Sequence, residues 1–182
     1  AEALSFYSEL FSGIFNVSLK NSWWWTLGLT QDFVMLRGLE QMMYDMYDEP
    51  RGVHEVMAFL RDGTMRMLTF LEENALLPPN FENWYVGSGG FGLSHELPSH
   101  GFDGRVRLKD MWGFCESQET VDISPGMFEE FIFPYQLPIM ERFGLNCYGC
   151  CEPLHTRWEV VKRFPGLRRV SCSAWADHEK MA

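Results

Sequence analysis

The sequence predicts an α/β fold of parallel βα units, with about five strands and long helices between them. Two observations predict it. From residue 111 onward, short apolar runs at 111–115, 146–149 and 169–173 alternate with helical patterns across short connections. Apolar residues make up 46% of the chain and charged residues 22%, the balance of a globular domain. A third observation bounds the architecture. The 182 residues suit one domain, whereas a closed barrel of eight strands takes roughly 250 residues. The chain therefore reads as an open sheet or as part of a barrel.

Taken in order, residues 13–21 (GIFNVSLKN) are apolar and β-branched at their centre and predict a short strand that runs into Trp23, Trp24 and Trp25. Three adjacent Trp cannot all face one core, so one or more faces a cavity, a partner or the underside of a loop. Phe33, Leu36, Leu39, Met42, Met43 and Met46 recur at helical spacing and predict a helix over 32–48. Asp48 is placed to cap a second helix over 50–73, with Pro50 in its first turn. That helix carries Val53, Val56, Met57, Leu60, Met67, Leu68 and Leu71 on its core side, and Pro78 and Pro79 lie beyond its end. Trp84, Tyr85 and Val86 predict a strand that ends in a Gly-rich turn over 87–92. A phosphate cradle needs a helix directly after such a turn, and Leu97-Pro98 follows instead, so the turn reads as a loop or lid.

The second half is more regular. Residues 111–115 predict a buried strand, 116–122 a polar loop, and Ser124-Pro125 the cap and first residue of a helix to about Phe143. Residues 146–149 predict a second strand and Glu152-Pro153 opens a helix through Phe164. Residues 169–173 predict a third strand, with Asp177 as a following cap.

Charge narrows the function. Fifteen Lys and Arg against 25 Asp and Glu leave a net charge of −10, which repels a nucleic-acid backbone. The one dense basic cluster, Lys162, Arg163, Arg168 and Arg169, reads as the end of a helix and the start of a strand. The sequence holds no run long and apolar enough to span a membrane, and its first residues lack a basic signal region, so a soluble cytoplasmic protein is expected. The chain begins with Ala, as a piece of something longer would. Five Cys, three of them at 147, 150 and 151, suit thiol or metal chemistry in a reducing compartment better than a disulfide framework.

In parallel βα folds, functional groups gather where strands end. The predicted ends lie at residues 20–25, 87–90, 116–119, 148–152 and 173–177, and they converge on one face. Cys150 and Cys151, with Glu152 beside them and His155 a turn beyond, have the ligand types of an open zinc site, in which a substrate thiol is held as thiolate. Cys147 and Cys172 fall inside predicted strands and read as small buried hydrophobes. Glu116, Glu119 and Asp122 offer carboxylates for proton transfer or for a metal, or else a solvated loop. His95, His100 and His178 have no partner at recognisable spacing, and His54 is expected on a helix surface.

Phe114 to Glu116, then Ser124-Pro125, Phe128, Phe131, Pro134 and Tyr135, resemble the strand, loop and "SP..F..F..PY" helix of the uroporphyrinogen decarboxylase superfamily. The resemblance extends back through Trp25-Thr26-Leu27 and DMYDEPRGVH at 45–54, and forward from Tyr148-Gly149-Cys150 to Trp175-Ala176-Asp177. It implies a (β/α)8 TIM-barrel-like fold of which this chain is an incomplete, central part, one partial barrel domain over 1–182 with an inserted loop or lid over 77–110.

The superfamily includes cobalamin-dependent methyltransferases that act on thiols. The resemblance thus implies a methyltransferase-type enzyme with a Cys-rich zinc or thiol site, served by a corrinoid on a partner protein. Cys150 matches the Cys of those enzymes' His-x-Cys motif, with Tyr148 in place of the His, and Cys151 or Glu152 is the stand-in ligand. Glu116-Ser117 matches the decarboxylases' Glu-Ser pair, while their active-site Tyr falls on Thr30. The expected site is therefore Glu116, Ser117 and Tyr148 as catalytic residues; Trp25, Ser88, Gln118, Trp175 and Asp177 around a small-molecule substrate; and Cys150, Cys151 and Glu152 at a metal. A porphyrinogen or related carboxylate lyase is the alternative, and an inert scaffold a third, since an isolated partial barrel is expected to be inactive and to self-associate through its exposed strand edges.

Overall fold

The computed structural model describes residues 2–17, 26–88 and 90–181. Helix α1 (Glu2–Leu10) buries none of its residues. Residues 13–17, the start of the first predicted strand, form a turn and irregular chain, and the rest of that segment, with Trp23 to Trp25, lies outside the described residues. The helix expected over 32–48 is two helices, α2 (Thr30–Arg37) and α3 (Leu39–Asp48). Gly38 separates them at φ +86°, a conformation that costs glycine little and other residues much. Helix α4 (Pro50–Glu73) is the predicted one, with Pro50 in its first turn, although the residue before it is Glu49 rather than Asp48 and no side chain caps it. Val53, Met57, Leu68 and Leu71 make its buried stripe. No described helix is long and apolar enough to cross a membrane.

The expected strand at Trp84 to Val86 is the short β1 (Tyr85–Val86), and it pairs antiparallel with β2 (Gly90–Phe91) in a hairpin instead of joining the parallel sheet. Parallel pairing is confined, among the described residues, to β3 (Trp112–Cys115), β4 (Leu145–Tyr148) and β5 (Leu167–Val170), in the order β3-β4-β5. The expectation of about five parallel strands is corrected accordingly to three and a hairpin. The architecture is mixed α/β.

Between β3 and β4 the chain forms α5 (Pro125–Phe131) and α6 (Phe133–Met140), again a break within one expected helix. Ser124 caps α5 as expected, its Oγ accepting from the Met127 amide at 3.2 Å. Between β4 and β5 the helix expected through Phe164 is a 3₁₀ turn followed by the short α7 (Trp158–Val161). Strand β5 also starts earlier than predicted, which leaves Cys172 exposed beyond its end instead of buried within it.

Both faces of the parallel sheet are covered. Cys115 and Tyr148 face the helical layer, where Phe33, Met42, Met57, Leu68, Phe128, Ile132 and Phe164 pack around them. Trp112 and Phe114 of β3 and Leu145 and Cys147 of β4 face Phe81, Val86 and Leu97 from the segment over 77–110. The alternation follows from the pleat, which sends successive side chains to opposite faces. Asn80 holds that segment to β3, donating to the Trp112 carbonyl and accepting from its amide, both at 2.9 Å. Arg169 of β5 reaches the hairpin carbonyls of Val86 and Phe91 and lies over the Trp112 ring. The basic cluster is thus spoken for: Lys162, Arg163 and Arg168 pair with Glu159, Glu129 and Glu96.

Candidate functional site

The carboxyl ends of β3 and β4 carry the buried polar groups. Glu116, Ser117, Gln136, Tyr148, Glu152 and Arg157 are all essentially inaccessible to solvent, so each needs a polar partner. A directional chain supplies most of them. Arg157 donates to Ser117 Oγ at 3.0 Å, and Ser117 Oγ and Tyr148 OH lie 3.0 Å apart. Tyr148 in turn donates to Gln136 Oε1 at 2.9 Å, so the Ser117 hydroxyl is the donor to Tyr148. Gln136 closes the chain by donating to the backbone carbonyls of Gly28 and Glu116. Two further Arg157 donations meet Thr120 Oγ1 and its carbonyl, and the guanidinium lies 4.7 Å from the centre of the Phe128 ring. Burial lowers the Arg157 pKa and raises that of Tyr148 well above the ordinary phenol value.

Glu152 does a different job. Its Oε1 accepts from the Ser117 amide at 3.0 Å and its Oε2 from the Cys150 amide at 2.7 Å, tying the end of β3 to the loop after β4. Both oxygens are thus occupied by backbone donors.

Glu116 stands apart. One oxygen, Oε2, accepts from the Gln118 amide at 2.9 Å, while Oε1 is buried and makes no hydrogen bond among the described residues. Burial, with the neighbouring Glu119 and Glu152 carboxylates adding to it, pushes the Glu116 carboxyl up to about 7. A carboxyl raised to about 7, with one oxygen unpartnered among the described residues, is suited to give and take a proton. The approach of Gly28 is part of this geometry: a side chain there would collide with the Glu116 carbonyl. Thr30, where the resemblance places a Tyr, donates to Glu119 at 2.8 Å.

On the hairpin side, Ser88 donates to the Cys150 thiol at 3.5 Å, and the Cys150 and Cys151 sulfurs are 3.6 Å apart. Ser171, just past β5, donates to the Ser88 carbonyl. Burial raises the Cys150 thiol pKa, pushes Cys147 up to about 11, and raises Cys115 well above its usual value.

Of the expected site residues, Ser117, Tyr148, Glu152, Cys150, Cys151 and Ser88 form one hydrogen-bonded series, and Glu116 and Gln118 bond to each other and meet that series through Gln136. Trp175 is exposed in the turn after β5. Asp177 takes its contacts from His155 and Lys180. Trp25 lies outside the described residues. His54 is not simply a surface residue: it meets Tyr135 OH at 2.7 Å and stacks on Phe131. Gln136, Thr120 and Arg157 are the members that sequence reasoning missed, because nothing in their local spacing separates them from ordinary helix and loop polar residues.

The ligand set expected for zinc fits poorly. A catalytic zinc takes three protein ligands, but Glu152 is engaged by two amides and Tyr148 by Ser117 and Gln136, which leaves two thiols. Among the described residues no group of three or more His, Cys, Asp or Glu is arranged to hold a metal ion. Comparison with known protein families, curated proteins and solved structures finds no match to this chain.

Proposed function

We propose that the chain is the central part of a (β/α)8-type barrel enzyme resembling the uroporphyrinogen decarboxylase superfamily, and that it performs proton-transfer chemistry on a small carboxylate, as a porphyrinogen or related carboxylate lyase. The reading rests on Glu116, buried, raised to about 7 and with one oxygen unpartnered among the described residues. In such a reaction the bond from carbon to the departing carboxylate breaks and its electron pair stays on carbon. The Glu116 proton then goes to that carbon, leaving carbon dioxide and a Glu116 carboxylate that is reprotonated from solvent. Ser88 and Gln118, on either side of the strand ends, are assigned to substrate contact.

Uroporphyrin titration followed at its Soret band tests this. The expected result is saturable binding that weakens as pH rises through about 7, because ionised Glu116 repels the ligand's carboxylates, with that pH dependence lost in Glu116→Gln. A flat titration would remove the tetrapyrrole reading. The Cys150 thiol at the hairpin favours a second reading, transfer of a methyl group to a thiol with a corrinoid protein as partner. Methyl-group incorporation into a small thiol, lost in Cys150→Ser, would support it over the lyase.

A further inference from the structure

We propose that Cys150 and Cys151 form a reversible redox-modification site, closing to a disulfide between adjacent residues on reaction with a low-molecular-weight disulfide. The inference does not depend on the role assigned to Glu116.

The two sulfurs are 3.6 Å apart, close to touching, and a disulfide needs about 2.05 Å. Closing that gap takes rotation of the two side chains and twisting of the peptide between them, without movement of a strand. Cys151 is exposed and Cys150 half-buried, whereas Cys115 and Cys147 are buried within the sheet. A dissolved disulfide therefore reaches Cys151 first. The backbone is held on both sides of the pair: Gly149, at φ +94°, sets the turn and donates its amide to the Cys115 carbonyl, Glu152 Oε2 fixes the Cys150 amide, and Ser173 Oγ donates to the Glu152 carbonyl. Adjacent Cα atoms across a trans peptide are about 3.8 Å apart, below the roughly 4.4 Å minimum of ordinary disulfides. The bond is accordingly strained and readily reduced, as a reversible one must be.

The chemistry balances in two exchanges. The Cys151 thiolate attacks one sulfur of the disulfide RSSR, forming a mixed disulfide and releasing RS⁻, which takes up the proton that Cys151 lost. The Cys150 thiolate then attacks the Cys151 sulfur and releases the second RS⁻, protonated likewise. The pair loses two electrons and two protons, and RSSR becomes two RSH. Bond formation draws the Cys150 sulfur away from Ser88, its present donor, so the turn of the hairpin registers the redox state.

The test equilibrates the whole chain in glutathione buffers of increasing oxidised fraction, alkylates free thiols after denaturation, and maps the peptides by mass spectrometry. The expected product has Cys147 alkylated while Cys150 and Cys151 are both protected and together lighter by two hydrogens. Phenylarsine oxide, which chelates paired thiols, is expected to bind the reduced chain and to bind Cys150→Ser and Cys151→Ser about a hundredfold more weakly. Faster amide exchange at Ser88 after oxidation, absent in Cys151→Ser, supports the link to the hairpin. A stable glutathione adduct on Cys151 with Cys150 free, a bond to Cys172, or equal arsenical binding by the single variants would overturn the proposal.

Discussion

Two groups of buried polar side chains meet at the carboxyl ends of β3 and β4, and they differ in one respect. In the chain from Arg157 through Ser117 and Tyr148 to Gln136, each step has a donor and an acceptor, and the path ends on backbone carbonyls. In the neighbouring Glu116 carboxyl, one oxygen has a partner and the other has none among the described residues. A closed network in a low-dielectric interior rigidifies. A half-satisfied carboxyl there is costly and is found where chemistry needs it. Tyr148 and Ser117, expected as catalytic, are each bonded within the closed network, and the proton transfer proposed above is assigned to Glu116.

Breaking the framework has the largest expected effect. Arg157→Met keeps much of the volume over Phe128 but strips donors from Ser117 and Thr120, at a cost of about 3 kcal/mol measured by urea unfolding. Glu116→Gln tests the other group. In the folded chain the carboxyl is raised from 4.5 to about 7, so its contribution to stability is fully present below pH 4.5 and is lost as pH rises through about 7. The loss amounts to about 3 kcal/mol. The native chain is expected to weaken between about pH 4.5 and pH 7 and to level off above that, relative to the Gln variant, whose unfolding free energy lacks this slope. Tyr148→Phe removes one link and leaves Gln136 Oε1 and Ser117 short of a partner, for a loss of about 1 to 2 kcal/mol. Ser88→Ala, at the half-exposed hairpin, is expected to change stability by less than about 0.5 kcal/mol; a larger loss would make the hairpin part of the framework.

The sequence made the framework's elements legible more readily than its chemistry. Helix α4 could be read because Pro50 and an apolar stripe mark it, and α5 because Ser124-Pro125 is a local start signal. Strands β3 and β4 could be read as short buried apolar runs. The break at Gly38 and the pairing of β1 with β2 were hidden, since the first depends on how α2 and α3 dock and the second on a turn that brings two dipeptides together. At the site, Glu116, Tyr148, Cys150 and Glu152 could be placed from strand ends alone. The closed network that sets Ser117 and Tyr148 apart from Glu116 could not, because it depends on Gln136 of α6 and on Arg157 of the turn before α7.

The central claim is that Glu116 holds its proton near neutrality. Infrared difference spectroscopy of the carboxylic-acid C=O stretch, with Glu116→Gln as the subtraction, measures it directly. The account predicts a Glu116 band that falls to half its intensity near pH 7. A band that has vanished by pH 5 would place Glu116 among ordinary ionised carboxylates and contradict the account.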